Sequence, residues 1–377
     1  MSSLNTRYCG LELSNPILAG SSDLTSNVDS IRRIEEAGAG AIVLKSLFEE
    51  QIQLERMKLE EELDTGSELY AEMATIFPRL QHAGAKEHLL GVRKAREAVR
   101  VPLIASLNAV SLPTWTEYAR QLAEQGVDAL ELNFFATPRD FDVGGDAVEE
   151  EQEQIVREVR AAVKIPVGVK LSVFYSNPLN FIRRLDVAGA NGFVLFNRFF
   201  QPDINTETES VTQPFNFSSA VDSRLPLRFA GLLHGRIRAD VCASTGITSG
   251  ADVVKMLLAG ASAVQVVTGL YRQGVRSIRP MLDEVTRWME ARSYATIDAF
   301  RGKLSAKNAH DPWAYTRAQY ARMLLSPKEF TEPVRTQGRS ATPWSSCWSR
   351  SRGSRWCSTR CSSSNAAGRA GPPPRRR

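Results

Sequence analysis

Four stretches decide how this chain is read: AGAGAIVL at 37–44, EQGVDALEL at 124–132, AGANGFVLF at 188–196 and AGASAVQVV at 259–267. Each closes a helical pattern on a glycine (Gly38, Gly126, Gly189, Gly260) and passes almost at once into a short apolar or β-branched run. Glycine ends helices because it takes the left-handed cap without strain. A short apolar run bounded by turn residues reads as a strand buried on both faces. Working outward, strands are expected at 16–19, 41–45, 102–108, 129–134, 167–171, 192–197, 240–244 and 263–268, with helical patterns at 28–37, 114–125, 148–163, 178–188 and 251–259. Strand, helix, glycine and strand, repeated around eight times, predicts an α/β fold of the (β/α)8 TIM-barrel type. The alternative, an open doubly wound sheet, would favour a glycine-rich nucleotide turn after the first strand, and no GxGxxG occurs there.

A barrel of this kind takes about 250 residues or more as one domain, so a single domain is expected over 1–330 of the 377 residues. Two segments interrupt the rhythm, 47–87 and 199–225. Both leave from the C-terminal face, and connections longer than ~15 residues are usually functional. From Gln337 the chain mixes Ser, Arg, Trp, Cys and Pro without periodicity. The segment 331–377 is therefore expected to be a disordered tail, and its composition also suits translation in a shifted reading frame.

The net charge of +5 comes from the arginines of that tail, so no nucleic-acid partner is inferred. A hydrophobic fraction of 43% and a charged fraction of 24% are ordinary for a soluble globular protein. No apolar run approaches ~20 residues, and the N-terminus lacks a basic start followed by an apolar stretch. A cytoplasmic protein without a membrane partner is expected. Cys9 and Cys242 do not make a disulfide framework. Cys357 and Cys361 have half the spacing of a zinc site, but no histidine follows His310, so no metal is expected.

Active sites of such barrels sit where the strands end. The strands end in ILAGSS, VLKS, ASLN, LELN, GVKLS, VLFN, ASTG and VVTG, which places Lys45, Lys170, Asn108, Asn133, Asn197, Thr245, Gly246, Thr268 and Gly269 at the rim. Two lysines supply fixed cations that can stabilise a reduced flavin ring or a carboxylate. Three asparagines each supply a donor and an acceptor in one plane, matching the edge of an isoalloxazine or a pyrimidine. The Thr-Gly pairs let backbone N–H groups approach a phosphate, helped by the helix that TGITSG opens. A Schiff-base aldolase would also place a lysine here, without calling for three asparagines.

NPILAGSS, VLKS, LELN, GVKLS and above all TGITSGADVVKMLLAGASAVQVVTGL resemble the dihydroorotate dehydrogenase family, over a span from Asn15 to Met289. The resemblance implies an FMN-binding barrel of the soluble branch that oxidises dihydroorotate to orotate in pyrimidine biosynthesis. It implies that Ala19, Gly20, Lys45, Ser46, Asn108, Asn133, Lys170, Asn197, Thr245, Gly246, Thr268 and Gly269 form the FMN site, with Lys45, Asn133 and Asn197 also facing the substrate. A homodimer is common in the family. The family's proton-abstracting loop after strand four reads Asn, two residues, then Cys-Pro-Asn or Ser-Pro-Asn. Here the text is NFFATPRD, in which Thr137 overlays the base if one residue is inserted. The family's substrate motif after strand two is replaced by GSELYAEMATIFP. The catalytic set expected is thus Lys170, Lys45 and Thr137, acting on dihydroorotate or on another small substrate. A barrel that binds flavin or phosphate but has lost its chemistry is the remaining alternative.

Overall fold

The computed structural model describes residues 2–53, 84–135, 141–198 and 201–325. The chain divides into two units, Met1–Leu325 and Ser326–Arg377. The expected tail lies outside the described residues.

Two short strands, β1 (Thr6–Tyr8) and β2 (Leu11–Leu13), pair antiparallel as a hairpin. The barrel follows: β3 (Ile17–Ala19), β4 (Ala41–Val43), β5 (Leu47–Phe48), β6 (Leu103–Asn108), β7 (Ala129–Asn133), β8 (Val167–Leu171) and β9 (Gly192–Leu195). An antiparallel hairpin, β10 (Asp203–Asn205) with β11 (Ser210–Thr212), is inserted before β12 (Asp240–Ser244) and β13 (Ala263–Val266). The parallel order β4-β3-β13-β12-β9-β8-β7-β6 closes through a β4–β6 pairing, and β5 adds a second pairing to β6. The sheet is therefore a (β/α)8 barrel with all eight expected strands in place.

Alternation along each strand divides the core in two. Ile17, Ile42, Leu103, Leu130, Val169, Phe193, Ala243 and Val264 join the large cluster between barrel and helices. Leu18, Ala41, Val43, Ile104, Ala129, Val194, Cys242 and Ala263 fill the interior together with Tyr8, Cys9 and Leu13 of the hairpin. Tyr8 is only 2% exposed and closes the barrel floor. Two glycines make room for it: a Cβ on Gly192 would lie 3.0 Å from the Tyr8 ring, and one on Gly168 3.5 Å from the Tyr8 hydroxyl.

The expected helices appear at Val28–Glu36, Leu112–Glu124, Gly145–Ala162, Pro178–Ala188 and Gly250–Ala259. The caps at Gly189 and Gly260 have φ of +106° and +124°, which accounts for glycine there. Further helices include Ala85–Ala98, Arg224–Leu233 and Ile278–Glu290. No described helix is long and apolar enough to cross a membrane.

Two glycine substitutions should separate packing from propensity. Gly91 lies on the exposed side of Ala85–Ala98 with nothing near its Cβ direction, so Gly91→Ala should stabilise the protein by about 1 kcal/mol. Gly192→Ala must displace Tyr8 and should cost about 1–3 kcal/mol. Urea unfolding of both variants checks this, and equal effects would contradict the floor packing.

Candidate active site

A cavity of about 340 Å³ opens at the C-terminal ends of the barrel strands, walled by residues of several different strand ends and loops. The size suits a small organic ligand. Lys45, Ser46, Asn133, Lys170, Asn197, Thr245, Gly246 and Thr268 all border it.

The cavity is polar beneath and aromatic above. Lys170, on β8, is 7% exposed. Below the mouth lies Glu131 of β7, 2% exposed, whose carboxylate accepts a hydrogen bond from Gln265 Nε2 of β13. These strands are four places apart in the sheet, so the bond spans the barrel interior. Burial pushes the Glu131 carboxyl up from its ordinary value, while the Lys170 charge and the Gln265 hydrogen bond pull it back. Glu131 Oε1 and Gln265 Oε1 are buried without a hydrogen-bond partner among the described residues. Gln265 also borders the cavity, so its free acceptor is available to a ligand.

The asparagines divide their work. Asn197 Nδ2 donates to Asn133 Oδ1 at 2.6 Å, and Asn108 Nδ2 donates to the Asn133 carbonyl at 2.7 Å. Asn133 and Asn197 wall the cavity as an ordered amide pair. Asn108, expected at the ligand, is not on the wall: its amide is spent on the β7 backbone, and it positions Asn133. Ser46 Oγ bonds Ser106 Oγ at 2.7 Å and Ser21 Oγ at 3.2 Å, forming a hydroxyl chain from the barrel interior to the wall.

Lys45 departs from the expectation of a second partly dry cation. Its side chain is 44% exposed and pairs with Asp23 at 2.6 Å, itself 74% exposed. Exposed pairs of this kind contribute little stability, so Lys45 is a rim charge and Lys170 the buried one. Ala19 faces the outer core rather than the cavity. Gly20 and Gly269 are not on the wall either. A Cβ on Gly20 would lie 2.6 Å from Val267, and one on Gly269 3.1 Å from the Ile247 carbonyl. Both permit close packing behind the wall.

The anion half of the site also differs. Gly246 has φ +71°, and a Cβ there would lie 2.5 Å from the Ser223 nitrogen, so glycine is required. Its N–H donates to Ser218 Oγ at 3.1 Å, and Ser218 Oγ donates to Thr268 Oγ1 at 2.9 Å, tying the loops after strands six, seven and eight together. The helix Gly250–Ala259 was expected to offer its N-terminus to a phosphate. Instead the chain supplies its own caps: Thr248 N donates to Asp252 Oδ2, Asp252 N to Ser249 Oγ, and Gly250 N to Glu284 Oε2. Thr245, Gly246 and Thr268, the last opening the short helix Thr268–Gln273, border the cavity on this side, with the Gly246 N–H committed to Ser218.

Several wall residues were missed: Arg198, Gln265, Ser218 and the aromatics Phe48, Phe135, Phe215, Phe217 and Tyr271. Phe217 lies 5.2 Å from Phe215 and 5.6 Å from Tyr271 between ring centroids, with the Arg272 guanidinium 5.5 Å above it. The text QPFNFSS, inside a long loop after strand six, was the available signal. Thr137 and the 66–78 segment lie outside the described residues. Among the described residues no group of His, Cys, Asp and Glu is arranged to hold a metal.

The Glu131 environment has a testable consequence. A carboxyl raised in the folded state stabilises the fold fully only below its unfolded value and loses that contribution as pH rises through the raised one. Glu131→Gln removes this loss, and its new amide can satisfy Gln265 Oε1. The melting temperature of the variant relative to the wild type should therefore be more favourable at pH 8 than at pH 5. An equal change at both would contradict the burial argument.

Comparison with known proteins bears directly on this site. A family model described as dihydroorotate dehydrogenase matches residues 74–289. A dihydroorotate dehydrogenase B (NAD(+)) catalytic subunit of Thermoplasma volcanium is 27% identical over 310 residues, covering 80% of this chain and 98% of the relative. One of the same description from Methanocaldococcus jannaschii is 25% identical over 295 residues, 76% of this chain and 94% of the relative. A putative dihydroorotate dehydrogenase A (fumarate) of Aeropyrum pernix is 27% identical over 308 residues, 79% of this chain and 96% of the relative. The matched span runs from before β6 to the end of the last barrel helix and takes in Asn133, Lys170, Asn197 and the paired loops after strands seven and eight, so the chain belongs to the dihydroorotate dehydrogenase family.

Proposed function

We propose that this protein binds FMN at the mouth of its barrel and oxidises dihydroorotate, or a close relative of it, to the unsaturated product. The observation that carries the reading is the buried Lys170 beside the Asn133–Asn197 amide pair, in a chain of this family. The residues fit a flat heteroaromatic group with an anionic tail. Asn133, Asn197 and the unpartnered Gln265 Oε1 offer in-plane donors and acceptors, Val267 and Ile247 offer apolar wall, and Thr245, Gly246 and Thr268 lie where a phosphate can be held.

Bound FMN supplies a two-electron acceptor. The chain's residues do the rest. Lys170 holds a fixed positive charge, in a site poorly reached by water, for negative charge that develops on reduction. The asparagine pair orients the planar substrate, and Lys45 at the rim meets its polar edge. The substrate loses a hydride from one ring carbon and a proton from its neighbour. Thr137 passes that proton outward through water, since a threonine hydroxyl is too weak a base to retain it. The aromatic mouth of Phe48, Phe135, Phe215, Phe217 and Tyr271 favours a second reading, in which the substrate is another flat ring with more apolar surface. The relatives' descriptions carry either NAD(+) or fumarate, so the electron acceptor is a separate variable.

Stopped-flow reduction of the FMN-reconstituted protein by dihydroorotate tests the roles. Lys170→Ala should slow reduction by about 10²-fold or more, a larger effect than its effect on folding stability, and unchanged kinetics would remove its role. Thr137→Val should slow the same step by about 10²-fold, whereas an equal rate would assign the proton to another group.

A further inference from the structure

Arg198 follows Asn197 directly beyond the end of β9 and borders the cavity. Its Nη1 is buried and has no hydrogen-bond partner among the described residues. The nearest carboxylate oxygen is Asp222 Oδ2, 3.7 Å away, too far for a hydrogen bond. That oxygen is already engaged, accepting from Ser219 N at 2.6 Å and Ser219 Oγ at 3.1 Å, where it closes the turn Ala220–Ser223. Asp222 therefore anchors the guanidinium at a distance without satisfying it.

The charge balance of the wall points the same way. Three cations border the cavity, Lys45, Lys170 and Arg198, against one carboxylate, Asp23, which is committed to Lys45. A buried guanidinium N–H left without an acceptor is costly. The planar fork of arginine is suited to two parallel bonds with one oxyanion.

We propose that Arg198 is a ligand-binding residue that takes an oxyanion, carboxylate or phosphate, carried by the molecule that fills this cavity. The proposal deepens the functional reading above and rests on it for the identity of the ligands. It reassigns charge recognition from Lys45, which is tethered at the rim, to a residue one position beyond the asparagine already expected to matter. Two molecules bring this chemistry to the site: the substrate through its carboxylate, and the cofactor through its phosphate.

The test compares dissociation constants of the full chain and of Arg198→Gln for two matched pairs: orotate against uracil, which lacks the carboxylate, and FMN against riboflavin, which lacks the phosphate. Loss of at least tenfold in orotate affinity with uracil unchanged assigns Arg198 to the substrate carboxylate. The same loss for FMN with riboflavin unchanged assigns it to the cofactor phosphate. Arg198→Lys, which keeps the charge and loses the fork, should fall between, and it serves if the glutamine variant does not fold. Unchanged affinities for all four ligands overturn the proposal. If the wild-type protein binds none of them, the functional reading fails on its own, and inorganic phosphate is then the probe. A thermal shift by phosphate that Arg198→Gln abolishes sustains the oxyanion site, and its absence in the wild type overturns it.

Discussion

Closing eight parallel strands into a barrel sends every second side chain to the axis, and the interior has room for side chains but not for a channel. Everything at the site follows from how this chain meets that constraint. Apolar residues such as Leu18, Ile104 and Val194 fill the lower interior, and Tyr8 enters over Gly168 and Gly192 to close the floor. The ligand cavity then lies at the C-terminal end, where the inward positions turn polar: Ser106, Glu131, Lys170, Ser244 and Gln265. The same periodicity that builds the core thus delivers the chemistry, one or two residues further along each strand.

The polar layer is held by long-range bonds rather than by sequence neighbours. Gln265 reaches Glu131 across the barrel, a separation of 134 residues, and Ser218 joins the loops of strands seven and eight over shorter spans. Glu131 lies in the field of Lys170, and burial works against ionisation of the carboxyl. Lys170 and the Gln265 amide thus meet a buried carboxyl directly beneath the cavity.

Strand positions were legible because buried parallel strands are short apolar runs and the helices before them stop on glycine. Arg224–Leu233 and Ile278–Glu290 carry Pro226 and Pro280 in the first turn, where no helical N–H is lost. Rim residues such as Lys170, Asn133 and Asn197 were legible because strand ends fix their height in the barrel. Direction was not: Lys45 stands at a strand end but leans outward to Asp23. Glu131 and Gln265 passed as strand filling in LEL and VQV, since only the closed barrel brings them together. Arg198 was hidden by the asparagine before it, and the aromatic mouth by loop text without a period.

The most direct measurement is an absorption spectrum of the protein reconstituted with FMN and desalted, followed by anaerobic addition of dihydroorotate. Flavin bands that survive desalting and bleach when dihydroorotate is added are the expected result. Absence of retained flavin would contradict the assignment of the cavity, and retained bands that stay oxidised would contradict the substrate.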